Sequence, residues 1–328
     1  MWVWSQVQKM LLEEAAVIIV TGACGFIGSN LVASLASEGH EITAVDVASK
    51  MVGANFPSNV YLMDSDMFRQ GIRTSLLGSN VTHIFHLGAC ADTMETNESI
   101  MMESNVVFSK DIMWLAAKGK IPTVYASSAA VYGNSDSSTE IRSNENPINL
   151  YAKSKLMFDN ILRQNKNGLR NTFVGLRFFN VYGPSEARKG KMASMPYQIW
   201  KQIKEDGVCN LFGETEGCAA GEQKRDFVSV EDVISVMKYF AFKTEPVKGV
   251  FNVGTGVARS FNDVANTVIG ALGSGRVEYV PFPEVLVGKY QMNTCADLTA
   301  LRGAGYSGDF KTIEEGVVSA IVDWNKNG

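Results

Sequence analysis

The sequence predicts a doubly wound α/β fold, a parallel sheet with helices on both faces, joined to a smaller C-terminal lobe. Three observations carry this. Short apolar runs alternate with helix-period segments through the first half of the chain, and a glycine-rich turn follows the first run. The alternation then becomes irregular after Phe179, where stretches rich in Gly, Pro and Lys begin. At 328 residues the chain exceeds one average domain of roughly 100–200 residues, which fits two lobes.

Residues 1–16 read as an extension. They lack a basic start and carry Glu13 and Glu14 where a signal peptide is apolar, so an extra helix or a frayed tail is expected. The runs 17–21, 42–46, 60–63, 83–87, 122–127 and 172–178 read as buried strands, and residues 17–179 as one sheet domain whose ligand sits at the strands' carboxyl ends. Residues 180–328 are expected to form mainly the second lobe, with a helix near 193–205 and a small-residue loop at 213–223. The strand-like runs 227–230 and 250–253 are expected to return to the sheet.

Composition removes several classes. A net charge of −4 without basic runs gives no support for nucleic-acid binding. Five cysteines (Cys24, Cys90, Cys209, Cys218, Cys295), odd in number and without a C-x-x-C pair, suit free thiols in the cytoplasm. The three histidines lack zinc-site spacing, so no metal is expected. No apolar run approaches the ~18 residues that span a bilayer.

The turn Gly22-Ala23-Cys24-Gly25-Phe26-Ile27-Gly28 follows the first strand and opens a helix. Its glycines permit a tight turn, close approach of a pyrophosphate to the backbone, and close packing of helix on strand. The helix start adds unpaired N–H groups and positive dipole. With 30 glycines in the chain the spacing alone carries little. Its position after strand one carries more, and Asp46 ends strand two 18 residues beyond Gly28, where a ribose-binding carboxylate belongs. A nicotinamide dinucleotide is the expected ligand. Asp46 favours NAD by repelling a 2′-phosphate, whereas Lys50 or Arg69 could fold towards that phosphate, and the residues leave NAD and NADP open. Cys24 lies inside the turn without a visible base and reads as structural.

Tyr151-Ala152-Lys153-Ser154-Lys155 sets Tyr151 and Lys155 one helical turn apart on one face. Tyr197/Lys201 and Tyr239/Lys243 share the spacing, yet only Tyr151 follows the fifth strand and its Ser127-Ser128 end by a loop and a helix start. A phenol of pKa ~10 is a poor base at neutral pH. The Lys155 ammonium, with an oxidised nicotinamide, would favour the phenolate. Ser128 could hydrogen-bond the reacting hydroxyl, or merely cap the strand end.

The glycine turn, Ser128-Ala129-Ala130-Val131-Tyr132-Gly133 and Tyr151-x-x-x-Lys155 together resemble the extended short-chain dehydrogenase/reductase superfamily, whose fold is Rossmann-like. Three downstream segments narrow the resemblance: Arg177-Phe178-Phe179-Asn180-Val181-Tyr182-Gly183-Pro184, Arg188-Lys189-Gly190-Lys191-Met192-Ala193-Ser194 and Lys224-Arg225-Asp226-Phe227. Tyr279-Val280-Pro281-Phe282-Pro283, Lys289-Tyr290-Gln291 and Ala296-Asp297-Leu298 extend it. From Val17 to the C-terminus the chain is similar to the ADP-L-glycero-D-manno-heptose 6-epimerases, with the Lys-Gly-x-Met-Ala-Ser stretch the most discriminating piece. It departs from them in its first sixteen residues, in a longer 213–223 loop, and in Lys191, where they carry a small hydroxyl residue.

The resemblance implies inversion at C6 of an ADP-heptose through hydride loss to a tightly held NADP, a 6-keto intermediate, and hydride return to the opposite face. It implies a second acid/base at Lys189 beside Ser128, Tyr151 and Lys155. Cofactor contacts are implied at Gly22, Gly25, Phe26, Ile27 and Gly28, and at Asp46, Val47, Lys50 and Arg69. Others fall along Leu87, Gly88, Ala89, Cys90 and Ala91, and at Ser104, Asn105, Tyr151, Lys155 and Val181. Substrate contacts fall on Asn180, Lys191, Gln198, Phe212, Gly213, Glu214, Thr215, Arg225 and Tyr290. Residue chemistry agrees in kind. Arg225 is a fork suited to a diphosphate, with pairing to Asp226 as its bland alternative, and Tyr290 could close over a sugar or an adenine.

The implied protein is an NADP-dependent isomerase of lipopolysaccharide core biosynthesis, a cytoplasmic homo-oligomer with an ADP-heptose as its partner and neither nucleic acid nor membrane. Two rivals stand beside it. A 4-epimerase or reductase on this scaffold shares the same machinery, whereas a 4,6-dehydratase needs an acid where Ala129 and Ala130 follow Ser128. A non-catalytic NAD(P)-binding sensor commonly loses the Tyr or the Lys, and this chain keeps Ser128, Tyr151 and Lys155.

Overall fold

The computed structural model describes residues 16–74, 80–135, 137–215, 217–284 and 290–327. The extension expected over 1–16, apart from Ala16, lies outside the described residues, as do Lys289 and the side chain of Lys191.

Strand and helix alternate from the start. β1 (Val17–Thr21) is buried along its whole length and leads into α1 (Phe26–Ser37). Then come β2 (Glu41–Asp46), a single turn α2 (Ala48–Met51), β3 (Val60–Asp64), α3 (Ser65–Arg73) and β4 (Val81–His86). α4 (Glu98–Met102) passes through a π-helical turn (Glu103–Val107) into α5 (Phe108–Gly119), followed by β5 (Thr123–Ser128), α6 (Leu150–Asn165) and β6 (Phe173–Phe178). Side chains set the helix starts. Asp64 accepts the N–H groups of Asp66 and Met67 at α3, and Asn149 accepts that of Ala152 at α6.

Later elements are shorter: β7 (Asn180–Tyr182), a 3₁₀ segment (Glu186–Met192), α7 (Met195–Asp206), β8 (Val208–Phe212), β9 (Lys224–Ser229), α8 (Val230–Ala241) and β10 (Lys248–Val253). β11 (Ala258–Ser260), α9 (Phe261–Leu272), β12 (Arg276–Val280), β13 (Asn293–Thr294), α10 (Thr299–Gly303) and α11 (Ile313–Asn327) complete the described chain.

Seven strands form the central sheet in the order β10-β6-β5-β4-β1-β2-β3, with the pairs from β5 to β3 parallel. This is the doubly wound, Rossmann-like arrangement, and the strand order reverses between β1 and β4, where such sheets bind ligands. Of the two late runs expected to return to the sheet, β10 does so at the edge beside β6. β9 does not. It pairs with β7, β11 and β13 instead, because β7 follows directly from β6 and takes β9 in parallel register from Asn180 opposite Phe227.

Two compact units divide the chain. The first comprises residues up to Ser127 with Asn149–Leu176 and Met237–Val250. Its core gathers Ile19, Phe68, Ile84, Phe108, Phe158 and Phe173. The second comprises Ser128–Ile148, Arg177–Val236 and Phe251–Gly328, around Tyr182, Tyr197, Trp200, Phe227, Phe261 and Trp324. Among the described residues no helix is long and apolar enough to cross a membrane.

Candidate active site

In the first unit the glycine turn is packed as a phosphate cradle requires. Gly22 has φ +69°, and a Cβ there would stand 2.7 Å from Gly88 N and Leu87 C, while one at Gly28 would meet Gly22 O at 2.0 Å. The turn is thereby pressed against the end of β4, where Thr21 Oγ1 accepts Gly88 N–H at 3.0 Å. Gly25 at the N-cap of α1 supplies no side-chain cap. Asp46, buried at the end of β2, is tied to the turn through Cys24 N–H, which donates to Oδ2 at 2.9 Å, and through Val47 N–H, which donates to Oδ1 at 2.8 Å. These residues fit a dinucleotide: a glycine-lined turn, a helix start without a side-chain cap and a fixed carboxylate at the neighbouring strand end.

Other proposed cofactor residues divide. Asn105 accepts Cys90 N–H at 2.8 Å and donates to Cys90 O at 3.0 Å, which fixes the segment after β4, and also donates to Ser154 Oγ at 2.9 Å on α6. The π-helical turn that carries Ser104 and Asn105 supplies this reach. Arg69 is engaged elsewhere. Its guanidinium binds Glu103 at 2.5 Å and Asp111 at 3.3 Å, so its charge is already matched by carboxylates. Lys50 and Val47 lie exposed at α2.

Asn149 opens α6 just ahead of Tyr151, and Lys155 follows one turn later. Lys155 is buried, and its Nζ donates to Ala126 O at 2.9 Å and lies 5.8 Å from the Tyr151 ring centroid. Burial lowers its pKa to about 8, opposed by Asp159 and then Cys90. The other two Tyr-x-x-x-Lys spacings differ in setting: Tyr197 packs against Trp200 and Trp324, and Lys243 Nζ donates to its own Tyr239 at 3.0 Å.

In the second unit Ser128 ends β5 and accepts Ala130 N–H at 3.1 Å, capping the following 3₁₀ turn. The capping role fixes Oγ and leaves its hydrogen available to donate. Val181 is buried in β7, Asn180 donates to Asp226 O at 3.3 Å, and Gln198 donates to Ala193 O at 2.6 Å. Lys189 sits in the 3₁₀ segment, where Nζ is 3.3 Å from Oε1 of the fully buried Glu186.

Arg225 lies 4.8 Å from the Tyr290 ring centroid and 5.7 Å from that of Phe261, and its Nη1 donates to Lys224 O at 2.7 Å. Burial lowers its pKa, with Tyr290 opposing. Asp226 is not its partner. Fully buried, Asp226 accepts Thr255 N–H and hydroxyl, Gly256 N–H and Ala296 N–H at 2.7 to 3.0 Å. Arg225 therefore forms no carboxylate ion pair among the described residues, and a partly buried cation of this kind calls for an anion.

Phe212, Phe282 and Tyr290 pack edge to face with centroids 5.3 to 5.9 Å apart. Gly213 N–H donates to Val280 O at 2.7 Å, and reciprocal bonds of 3.0 and 2.9 Å join Thr215 and Cys218, while Glu214 is exposed. Asp159 and Glu186 were not among the residues singled out in the sequence. Each had a local sign, four residues after Lys155 and three before Lys189, on the same turn of its helix.

A phosphate cradle at the switch point, together with a helix whose buried lysine is bonded to the end of β5, is the frame of a dinucleotide-binding enzyme. The chain belongs to the NAD dependent epimerase/dehydratase family, whose match covers residues 18–254. It is accordingly an enzyme of the sugar-nucleotide epimerase or dehydratase kind.

Among solved structures it is similar to the Helicobacter pylori ADP-L-glycero-D-manno-heptose-6-epimerase, at 28% identity and TM-score 0.79 over 94% of this chain and 96% of that one. The UDP-N-acetylglucosamine 4-epimerase of Methanobrevibacter ruminantium M1 shares the fold at 23% identity and TM-score 0.82, over 96% of this chain and 100% of the other. A UDP-glucose 4-epimerase of Thermotoga maritima does so at 24% and 0.78, over 94% and 99%.

Proposed function

We propose that the protein is an ADP-L-glycero-D-manno-heptose 6-epimerase that works with NADP. The observation that carries this reading is Lys189, a second proton carrier in the Lys-Gly-x-Met-Ala-Ser segment, held by a buried carboxylate. Inversion of a secondary alcohol presents the hydroxyl on opposite sides in substrate and product, so one fixed base serves only one of them. Tyr151 takes or returns the hydroxyl proton of one epimer, and Lys189 that of the other. Ser128 donates to the reacting oxygen, and the Lys155 ammonium favours the Tyr151 phenolate. A bound nicotinamide dinucleotide supplies the reversible oxidation at the inverted carbon. Arg225 takes the diphosphate, and the Phe212, Phe282 and Tyr290 rings receive the apolar face of the nucleoside. Asp46 holds the ribose of the dinucleotide, with Lys50, four residues on, meeting the 2′-phosphate.

A 4-epimerase is the second reading, favoured by the UDP-sugar enzymes that share the fold over nearly the whole chain. Incubating the purified protein separately with ADP-D-glycero-D-manno-heptose, UDP-glucose and UDP-N-acetylglucosamine, with products resolved by NMR, decides between them. Inversion at C6 of the ADP-heptose alone is expected. Turnover of a UDP-sugar at C4 with the ADP-heptose untouched overturns the proposal.

A further inference from the structure

A carboxylate that this chemistry does not use lies one turn beyond Lys155 on α6. Asp159 is fully buried. Its Oδ1 accepts the Tyr125 hydroxyl at 2.8 Å, and its Oδ2 accepts the Ser127 hydroxyl at 3.0 Å. Both donors belong to β5 and stand two residues apart, so they share one face of the strand. The residue between them, Ala126, offers the carbonyl that takes Lys155 Nζ at 2.9 Å. Three consecutive residues at the end of β5 are thus bonded to two side chains of α6, one anionic and one cationic.

The neighbouring strand is shaped around this arrangement. A Cβ at Gly175 of β6 would stand 2.4 Å from the Tyr125 hydroxyl, so only glycine leaves room for that oxygen beside Asp159. Glycine inside a strand weakens it and marks a close approach.

A carboxylate removed from water needs donors and an opposite charge. Tyr125 and Ser127 supply neutral donors. The charged and titratable groups that face Lys155 are Asp159 on its own helix, Tyr151 on the preceding turn, Cys90 after β4 and His86 on β4. His86 is held neutral, burial first and then Lys155 lowering its pKa to about 3. Of these groups only Asp159 is a carboxylate, and it is the foremost influence opposing the effect of burial on Lys155.

We propose that Asp159 is a positioning residue for the reaction: locked by Tyr125 and Ser127, its buried negative charge keeps the Lys155 side chain charged and seated at the end of β5. The assignment rests on the Tyr151 and Lys155 part of the proposed function and is indifferent to which sugar nucleotide is inverted.

The test is the pH profile of kcat for Asp159→Asn, a nearly isosteric change that keeps an acceptor for one hydroxyl and removes the charge. Without the carboxylate, burial acts on Lys155 less opposed, the ammonium is lost at lower pH, and the alkaline fall in activity moves to lower pH than in the wild type. A displacement of one pH unit corresponds to up to about a tenfold loss of turnover at pH 8.5, with a smaller loss at pH 6.5 and little change in KM. Asp159→Glu, which retains the charge, restores the profile.

If the Asn variant proves too unstable to assay, Asp159→Ser takes its place, uncharged and small enough to admit a water between the two hydroxyls. A lowered melting temperature with an unmoved alkaline limb assigns Asp159 to structure only and overturns the inference. Lys155→Met separates the two levels of the argument. If that variant still turns over, the proposed function fails and the role of Asp159 with it, whereas an inactive Lys155→Met beside an unmoved Asp159→Asn profile defeats the Asp159 assignment alone.

Discussion

Glu186 holds Lys189 from below: the carboxylate is fully buried, the lysine side chain is 26% exposed, and Oε1 stands 3.3 Å from Nζ. The same carboxylate accepts Ser194 N–H at 2.5 Å and Gly183 N–H at 3.2 Å, so it closes the 183–194 segment on itself while presenting the lysine. All three neighbours are donors, and glutamine cannot satisfy them, since its amide N–H₂ would face one of them. Lys189→Met is expected to lower epimerisation about 10²–10⁴-fold, the usual contribution of an acid/base group. Glu186→Gln is expected to cost less, mostly in kcat. Near-normal turnover of Lys189→Met with unchanged cofactor content would leave Tyr151 serving a sugar that turns in the pocket.

Denaturing the purified protein and identifying the released dinucleotide by mass spectrometry is expected to yield NADP(H). Arg69 is bound to Glu103 and Asp111, so on the proposed reading the compensation for Asp46 falls to Lys50. Lys50→Ala should weaken retention of NADP by about fivefold, as an exposed ion pair of up to ~1 kcal/mol allows, and leave NAD unaffected. Recovery of NAD(H) alone overturns the choice of dinucleotide and leaves the fold intact.

Arg177 and Glu145 form a deeply buried ion pair, Nη2 to Oε1 2.5 Å, with side-chain exposures of 0% and 4%. The guanidinium also lies 4.9 Å from the Tyr132 ring centroid. Removing only the acid breaks this buried ion pair, which costs about 3–5 kcal/mol. Glu145→Ala should therefore shift the urea midpoint strongly, and the double change Arg177→Met with Glu145→Met should recover much of the loss. A midpoint for Glu145→Ala within experimental error of wild type contradicts this account.

His86 binds Thr21 Oγ1 at 2.8 Å and Ser109 Oγ at 2.9 Å inside the sheet domain, and burial holds its pKa near 3. Its ordinary value is 6.5, so above that pH the ring is neutral both folded and unfolded and the full stability is present. Between 6.5 and about 3 only the unfolded chain takes the proton, and stability falls by up to ~1.4 kcal/mol per pH unit from this group. Urea unfolding at pH 7 and pH 5 should show the fall, and His86→Gln should reduce the difference between the two. An unchanged difference in the variant excludes His86 as its source.

Features whose partners lie within a few residues are legible in the amino-acid order alone. The glycine turn between β1 and α1, Asp46 at the end of β2, and the single-turn spacing of Tyr151 and Lys155 are local patterns of period 2, 3 or 4, readable without knowing what packs where. The long-range pairings follow from packing. Arg69 is held by Asp111, 42 residues away, which removes it from the list of cations open to a phosphate. Asp226 turns to Thr255, Gly256 and Ala296 and so leaves Arg225 to its rings. β9 joins β7, β11 and β13 although its apolar run reads like a strand of the central sheet. The burial of Asp159 and Glu186, which gives each its hold on a lysine, follows from strands and loops that the helical spacing does not name. A charged side chain takes whichever buried donor or counter-charge packing brings within about 3 Å, because leaving it unmatched away from water costs more than any local preference supplies.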